Sequence, residues 1–398
     1  MTPDQPLTLM LVCGEPSGDQ IGAELMAGLK VLAGANIRFV GVGGTAMAAQ
    51  GLETLFPLDD TAVMGLREVV PRIPAILRRV RQTVDFAART RPDAVVLIDS
   101  PDFTHRIAQR LRRIAPDVRT VNYVAPQVWA SRSYRAKKMS RYFDLVLALL
   151  PFEAAFFQEH GVRAVFVGHP VIERQARMRG GEALRARLDI SPDAPVLALL
   201  PGSRMNEVRL LLPPFRAAVA LLRREIPNLV SVLSTVAHVG GFVREQTHGW
   251  PSPLHILDSD EQRFASFGAA QAAMAASGTV TTELALAGTP MVAAYRLGSL
   301  TYALVRPFVR VRFITLANIL LDRPAVPELI QRECTGPLLA RAVLPLLLDQ
   351  SARERQKRDL AEAMAKLGLG GESPSLRAAR ALLDFAQENS AYLLPIGT

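Results

Sequence analysis

Cysteine is scarce: Cys13 and Cys334 are the only two in 398 residues, and they lie far apart in the chain. Neither a disulfide framework nor a cysteine-built metal site is expected from such a pair, and a reducing compartment is the default. The six histidines are dispersed with no HxxxH pair, so no structural or catalytic metal is expected. No apolar run reaches the roughly 18 uninterrupted residues of a membrane span; the best are broken by Glu153, Gln271 or Glu283. The N-terminus, MTPDQPLTLMLVCGEPSGD, lacks the basic leader of a secretory signal and reads as a first strand. Acidic residues are outnumbered, 37 against 46 Lys and Arg, which leaves a net charge of +9. That charge calls for an anionic partner: nucleic acid, an acidic lipid surface or phosphorylated substrates.

What is present is a globular composition, 49% hydrophobic and 21% charged, in a chain long enough for two domains of roughly 150–200 residues. Val/Ile/Leu-rich runs at 7–12, 37–42, 93–99, 119–124, 145–150 and 164–167 alternate with longer amphipathic stretches. Continuous apolar runs of this kind read as parallel strands buried on both faces. After Gly168-His169-Pro170 and a charged stretch, Glu173 to Arg187, the alternation restarts at 195–200, 229–236, 254–257, 271–276 and 290–295. The expected class is α/β, two Rossmann-like doubly wound domains (1–175 and 176–350) facing a cleft, with ligands at the carboxyl ends of strands. His169 fits a turn or interdomain hinge better than a metal ligand. The tail, 351–398, is helical, interrupted at Gly368-Leu369-Gly370-Gly371; Ser373-Pro374 reads as the N-cap and first residue of a last helix, roughly 374–388.

Four strand ends carry candidate chemistry. Gly14, Ser17, Gly18 and Asp19 in GEPSGD form a glycine-rich turn whose following helix can face an anion. It matches neither GxGxxG nor a Walker A loop, and an ordinary strand-to-helix turn explains it equally. Asp99, at the end of Val95-Val96-Leu97-Ile98, stands where a general base belongs, with Asp102 the better helix cap. Ser203 and Arg204, in Leu200-Pro201-Gly202-Ser203-Arg204 with Glu207 in the helix behind, are suited to diphosphate, since arginine pairs bidentately with phosphate oxygens beside a helix dipole. Ser277, Gly278 and Thr279 allow close approach of a phosphate, and Glu283 one turn on can accept ribose hydroxyls; alone, this stretch reads as a capped helix with an acidic first turn. Asp258-Ser259-Asp260 matches the Asp-x-Asp of metal-dependent glycosyltransferases, but Asp258 or Ser259 as the cap of a short helix is the better explanation.

Together GEPSGD (14–19), IDSPDF (98–103), YVAPQVWA (123–130), VGHP (167–170), LPGSR (200–204), SGTVTTELA (277–285) and NILLDRPAVPELIQ (318–331) resemble, in order and nearly end to end, the lipid-A-disaccharide synthases, a glycosyltransferase family of GT-B fold. The resemblance implies inverting transfer of 2,3-diacylglucosamine from UDP-2,3-diacylglucosamine to 2,3-diacylglucosamine 1-phosphate, giving a β-1,6 disaccharide and UDP without a cofactor. It implies an acceptor- and membrane-facing first domain, a UDP-sugar-binding second domain, and a C-terminal segment returning to the first domain or to a partner chain in a homodimer. Asp99 carries over as the base, Arg204 as the group neutralising the diphosphate, Ser277 to Thr279 and Glu283 as nucleotide holders, and Asn318 as a cleft residue. The sequence departs from the family pattern at Ser131, where a second tryptophan is common, and at Ala317, where proline is common.

The lipid substrates give the positive charge a use. Seven arginines from Arg67 to Arg91 are interleaved with apolar residues, and Val69, Val70, Arg72, Ile73, Ile76, Arg78 and Arg79 are expected to meet an anionic membrane surface. Further basic clusters are Arg132, Arg135, Lys137, Lys138 and Arg141, and Arg306, Arg310 and Arg312 with Phe308 and Phe313. No RNP, KH, zinc-knuckle or helix-turn-helix pattern is evident, so nucleic acid is not the expected partner. The expected location is the cytoplasm, peripheral to the inner face of the cytoplasmic membrane. Competing readings are another UDP-sugar enzyme of this fold, a polyprenyl-linked N-acetylglucosaminyltransferase or an epimerase, and a non-catalytic basic nucleotide-binding module.

Overall fold

The computed structural model describes residues 6–34, 36–61, 66–130, 134–298, 302 and 311–388, excepting the side chains of 66–72 and 130. The chain divides into two units: Met1–Pro170 with Gly371–Thr398, and Val171–Gly370. The break after Pro170 directly follows the Gly168-His169-Pro170 turn.

In the first unit the apolar runs form β1 (Leu7–Cys13), β2 (Ile37–Val42), β4 (Ala94–Ile98), β5 (Thr120–Tyr123), β6 (Leu145–Ala148) and β7 (Ala164–Phe166), joined at one edge by β3 (Glu53–Thr54). The sheet is parallel, in the order β3-β2-β1-β4-β5-β6-β7. Alternate side chains of one strand feed opposite cores: Met10 and Val12 pack with Phe103, Ile107 and Leu111, and Leu9, Leu11 and Cys13 pack with Leu25, Met26 and Leu29. That second core includes Ala378, Ala379, Leu382, Leu383 and Phe385 of the last helix, Pro374–Gln387. Ser373 Oγ accepts from Leu376 N–H at its start, and Arg119 lies 3.6 Å over the Phe385 ring.

The second unit repeats the plan with β8 (Val196–Leu200), β9 (Val230–Ser234), β10 (Leu254–Leu257), β11 (Ala272–Ala276), β12 (Met291–Tyr295) and β13 (Glu328–Ile330), parallel in the order β10-β9-β8-β11-β12-β13. Leu197 and Leu199 pack with Phe215, Val219 and Leu222 of the helix Met205–Glu225. The charged helix Gln350–Lys366 stays with this unit, where the sequence grouped it with the tail. Gln356 is the reason: its amide accepts from Met291 N–H (2.6 Å) and donates to Met291 C=O and Ala325 C=O (both 3.1 Å). Arg323 adds ion pairs to Asp359 and Glu362 of the same helix.

Candidate active site

Each sheet reverses its strand order at one place, between β1 and β4 in the first unit and between β8 and β11 in the second. Loops leaving adjacent strands there run in opposite directions and open a crevice at the carboxyl ends, the usual ligand position in such sheets. The sequence-predicted loops lie at both switch points.

At the first, β4 delivers Asp99. Asp99 (φ 52°) and Ser100 (φ 44°) are both left-handed, a backbone state that costs on the order of 1–3 kcal/mol per non-glycine residue and persists only where neighbours enforce it. Asp99 N–H donates to Tyr123 C=O at 3.0 Å, and Thr104 Oγ1 donates to the carbonyls of Asp99 (2.7 Å) and Ser100 (3.1 Å). The carboxylate remains partly exposed and accepts a long bond, 3.3 Å, from Ser17 Oγ. The helix Pro101–Ile114 starts with Ser100 at the cap and Asp102 inside the first turn. Asp102 is therefore not the cap, because Pro101 already occupies the first helical position.

The glycine-rich turn packs against this loop. A Cβ on Gly14 would lie 2.9 Å from Ser100 Cβ, and one on Gly18 would lie 2.9 Å from Cys13 Cβ. Asp19 is 5% exposed and accepts from the N–H groups of Gly44 (2.7 Å), Ala46 (2.9 Å) and Met47 (3.1 Å). Its carboxylate ties the glycine-rich turn to the loop after β2. Burial, with Asp19 next in weight, pushes the Cys13 thiol up to about 12, so no thiolate nucleophile stands here.

At the second switch point a cavity of about 360 Å³ is lined by Ser203, Arg204, Glu207, Ser277, Gly278, Thr279 and Glu283. The structure thus brings together every predicted nucleotide residue except Asn318. Asn318 is fully buried: its Nδ2 donates to Val326 C=O and Glu328, and its Oδ1 accepts from Val326 N–H, all at 2.8 Å. It holds its own loop and does not line the cavity. Glu207 has a similar job, accepting from the N–H groups of Ser203 and Arg204 at 3.3 Å and pairing with Arg204 Nη1 at 2.8 Å. Gly202 (φ 111°) makes that possible, since a Cβ there would sit 2.5 Å from Glu207 Oε2.

The sequence did not point to Arg174, Arg263 and Thr235, which also line this cavity, together with Asp260 of the Asp258-Ser259-Asp260 run. Glu283 is 2% exposed and ion-paired with both arginines, to Arg174 at 2.8 Å and Arg263 at 2.5 Å. Arg263 also bonds Asp260 through Nε and Nη2. Ser259 caps this helix, Asp260–Ala269, by accepting from Gln262 N–H, and Asp258 pairs with Arg244.

A family model described as Lipid-A-disaccharide synthetase matches residues 9–379. The chain belongs to that family. A lipid-A-disaccharide synthase of Rhodospirillum centenum is 48% identical over 96% of this chain and 95% of its own length. One of Paramagnetospirillum magneticum is 44% identical over 96% and 98%. The solved structure of the UDP-GlcNAc 2-epimerase of Neisseria meningitidis bound to UDP-GlcNAc aligns with a TM-score of 0.62 at 10% identity, covering 96% of this chain and 100% of that one, a likeness of fold alone. The fold is of the GT-B type, and the family is one of glycosyltransferases.

The basic surface divides. The side chains of Val69, Val70 and Arg72, together with Arg132, Arg306, Phe308 and Arg310, lie outside the described residues. On the helix Leu66–Thr90, Ile73 (44%) and Leu77 (39%) are exposed, as are Arg78 and Arg81. Ile76 and Arg79 turn inward, contrary to expectation: Ile76 packs on the core, and Arg79 pairs with Asp60 and lies 4.6 Å over the Phe56 ring. Among the described residues no helix is long and apolar enough to cross a membrane.

Proposed function

We propose that the chain transfers 2,3-diacylglucosamine from its UDP derivative to the 6-hydroxyl of 2,3-diacylglucosamine 1-phosphate, with inversion. The observation that carries the reading is the second-unit cavity, where arginines, small hydroxyl residues and helix N-termini meet at the switch point. The relatives' printed names supply the disaccharide product. A single displacement needs a base for the attacking hydroxyl and an anion site for the departing diphosphate. Asp99 supplies the first. Ser203, Arg204 and the Ser277–Thr279 turn supply the second, by preorganised hydrogen bonds and charge that stabilise the leaving group as it forms. Nothing in this scheme asks for a covalent intermediate.

The exposed Ile73, Leu77 and Arg78 supply a peripheral contact with anionic lipid, apolar residues entering the interface and cations meeting headgroups. The assay is UDP release from purified protein with both lipids in detergent, with and without a chelator, and mass spectrometry of the product. Release that needs both lipids and yields the disaccharide 1-phosphate supports the reading; release with either lipid missing, or none with both, refutes it. Co-sedimentation with vesicles containing anionic lipid, weakened by Ile73→Asp and Arg78→Glu, tests the membrane contact, and sedimentation unaffected by both refutes it.

A further inference from the structure

The strand beside the Asp99 loop leads into a cationic helix. Asp99 N–H donates to the carbonyl of Tyr123, the last residue of β5, so the chain leaving β5 starts at the backbone of the Asp99 loop. Val124 follows with φ 66°, a left-handed state that is an outlier for a β-branched residue and holds only where neighbours enforce it. Ala125 and Val128 then enter the core, and Trp129 Nε1 donates to the buried Glu153 at 2.9 Å. The helix Tyr134–Met139 is seated by Ala136 and Met139, both fully buried. That seating turns Arg135, Lys137 and Lys138 outward, with Arg141 just beyond, and all four are exposed. Their charge has no local balance. No Asp or Glu lies between Asp117 and Asp144, and those two are taken by Arg91 and Arg112. Among the described residues none of the four cations forms an ion pair. Arg135 also reaches the helix that starts at Pro101: after burial it is the main influence holding the His105 imidazole down, with only Asp102 opposing it. Arg135 and Lys138, three residues apart, are neighbours on one helix face, and Lys138 lies 5.3 Å over the Tyr134 ring. Tyr134 is the one large exposed hydrophobic among the described residues of this helix, whereas a helix lying in a lipid interface presents a row of them.

We propose that Arg135 and Lys138 bind the 1-phosphate of the acceptor lipid while Asp99 receives the proton of its hydroxyl, so that this helix selects a phosphorylated acceptor. This deepens the reading above and rests on it. A phosphomonoester carries about −1.5 to −2 charge at pH 7 and three acceptor oxygens. Two cations with no ion pair to give up can meet those oxygens by charge-assisted hydrogen bonds, and a phosphate held away from the reacting hydroxyl helps to orient that hydroxyl for attack.

The test is UDP release by the full chain in neutral detergent micelles, with either 2,3-diacylglucosamine 1-phosphate or the same lipid lacking its phosphate as acceptor. Wild type is compared with Arg135→Gln, Lys138→Gln and the double variant, all substitutions of exposed side chains whose folding circular dichroism checks. Wild type should favour the phosphorylated acceptor in kcat/KM. Each single variant should cut that preference about tenfold, the loss typical of a charge-assisted hydrogen bond, by raising the acceptor KM while kcat and the KM for the UDP donor stay within about twofold of wild type. A double variant that keeps the preference, or an equal loss with both acceptors, overturns the proposal. So does an intact preference in variants that no longer co-sediment with anionic vesicles, which would assign the helix to the bilayer instead. Wild type that turns over both acceptors equally well refutes the phosphate site alone; wild type that turns over neither refutes the transfer reading and the site with it.

Discussion

Replacing Asp19 separates a structural carboxylate from a ligand-binding one. Its three bonds to Gly44, Ala46 and Met47 N–H are 2.7, 2.9 and 3.1 Å long, and its side chain is buried. A hydrogen bond to a charged group contributes about 1.5–3 kcal/mol, and a buried donor left without a partner costs about 1–3 kcal/mol, so Asp19→Ala removes on the order of 3–6 kcal/mol after allowance for relaxation. That is a large share of a domain's usual stability of about 5–15 kcal/mol. Asp19→Asn keeps Oδ1 for Gly44 and Met47 but turns an amide N–H against Ala46 N–H, costing about 1–3 kcal/mol. The two tryptophans make the effect separable, because Trp129 lies in the first unit and Trp250 in the second. In urea titrations of Trp250→Phe and Trp129→Phe backgrounds, Asp19→Ala should move the Trp129 transition to lower urea and leave the Trp250 transition in place. A Trp129 transition displaced by less than about 0.5 kcal/mol, the scale of an ordinary surface substitution, refutes the structural assignment. So does loss of UDP binding with both transitions unchanged.

Two further perturbations probe the first unit. Gly168 has φ +88°, a backbone state that strains any L side chain, so Gly168→Ala should cost on the order of 1–3 kcal/mol in the Trp129 transition; an unshifted midpoint contradicts the left-handed turn. Burial, then the nearby Arg135, pushes the His105 imidazole from its ordinary 6.5 down to about 4. Since the folded value is the lower one, His105 contributes stability that is complete above pH 6.5 and lost as the pH falls toward 4. His105→Gln should flatten that acid slope, and NMR should place the His105 midpoint near 4; a midpoint near 6.5 contradicts the burial.

Strands buried on both faces were legible as apolar runs: every residue of β4 and of β8 is buried. Of the four edge strands β7 and β10 were legible and β3 and β13 were not, because Glu53-Thr54 is exposed and Glu328–Ile330 only half-buried, and neither makes a hydrophobic run. Asp99 was legible as a position at a strand end, whereas its left-handed backbone depends on Tyr123 and Thr104 and exists only in the fold. The hydrogen bonds of Asn318 were not legible, because they join it to Val326, eight residues on, through the shape of the loop. Arg174 and Arg263 carried no local signal, since they meet Glu283 across 109 and 20 residues once β8 and β11 pair. Arg79 looked like surface charge until Asp60 and Phe56 closed over it.

The central claim, a displacement with Asp99 as the base, is tested most directly by UDP release from both lipids in wild type and Asp99→Asn. Asparagine tolerates the left-handed backbone of position 99, so the change removes the base and spares the loop. The account predicts a fall of about 10²–10⁴-fold in kcat, with UDP affinity retained. Asp99→Asn working within about tenfold of wild type would contradict general-base catalysis at this residue.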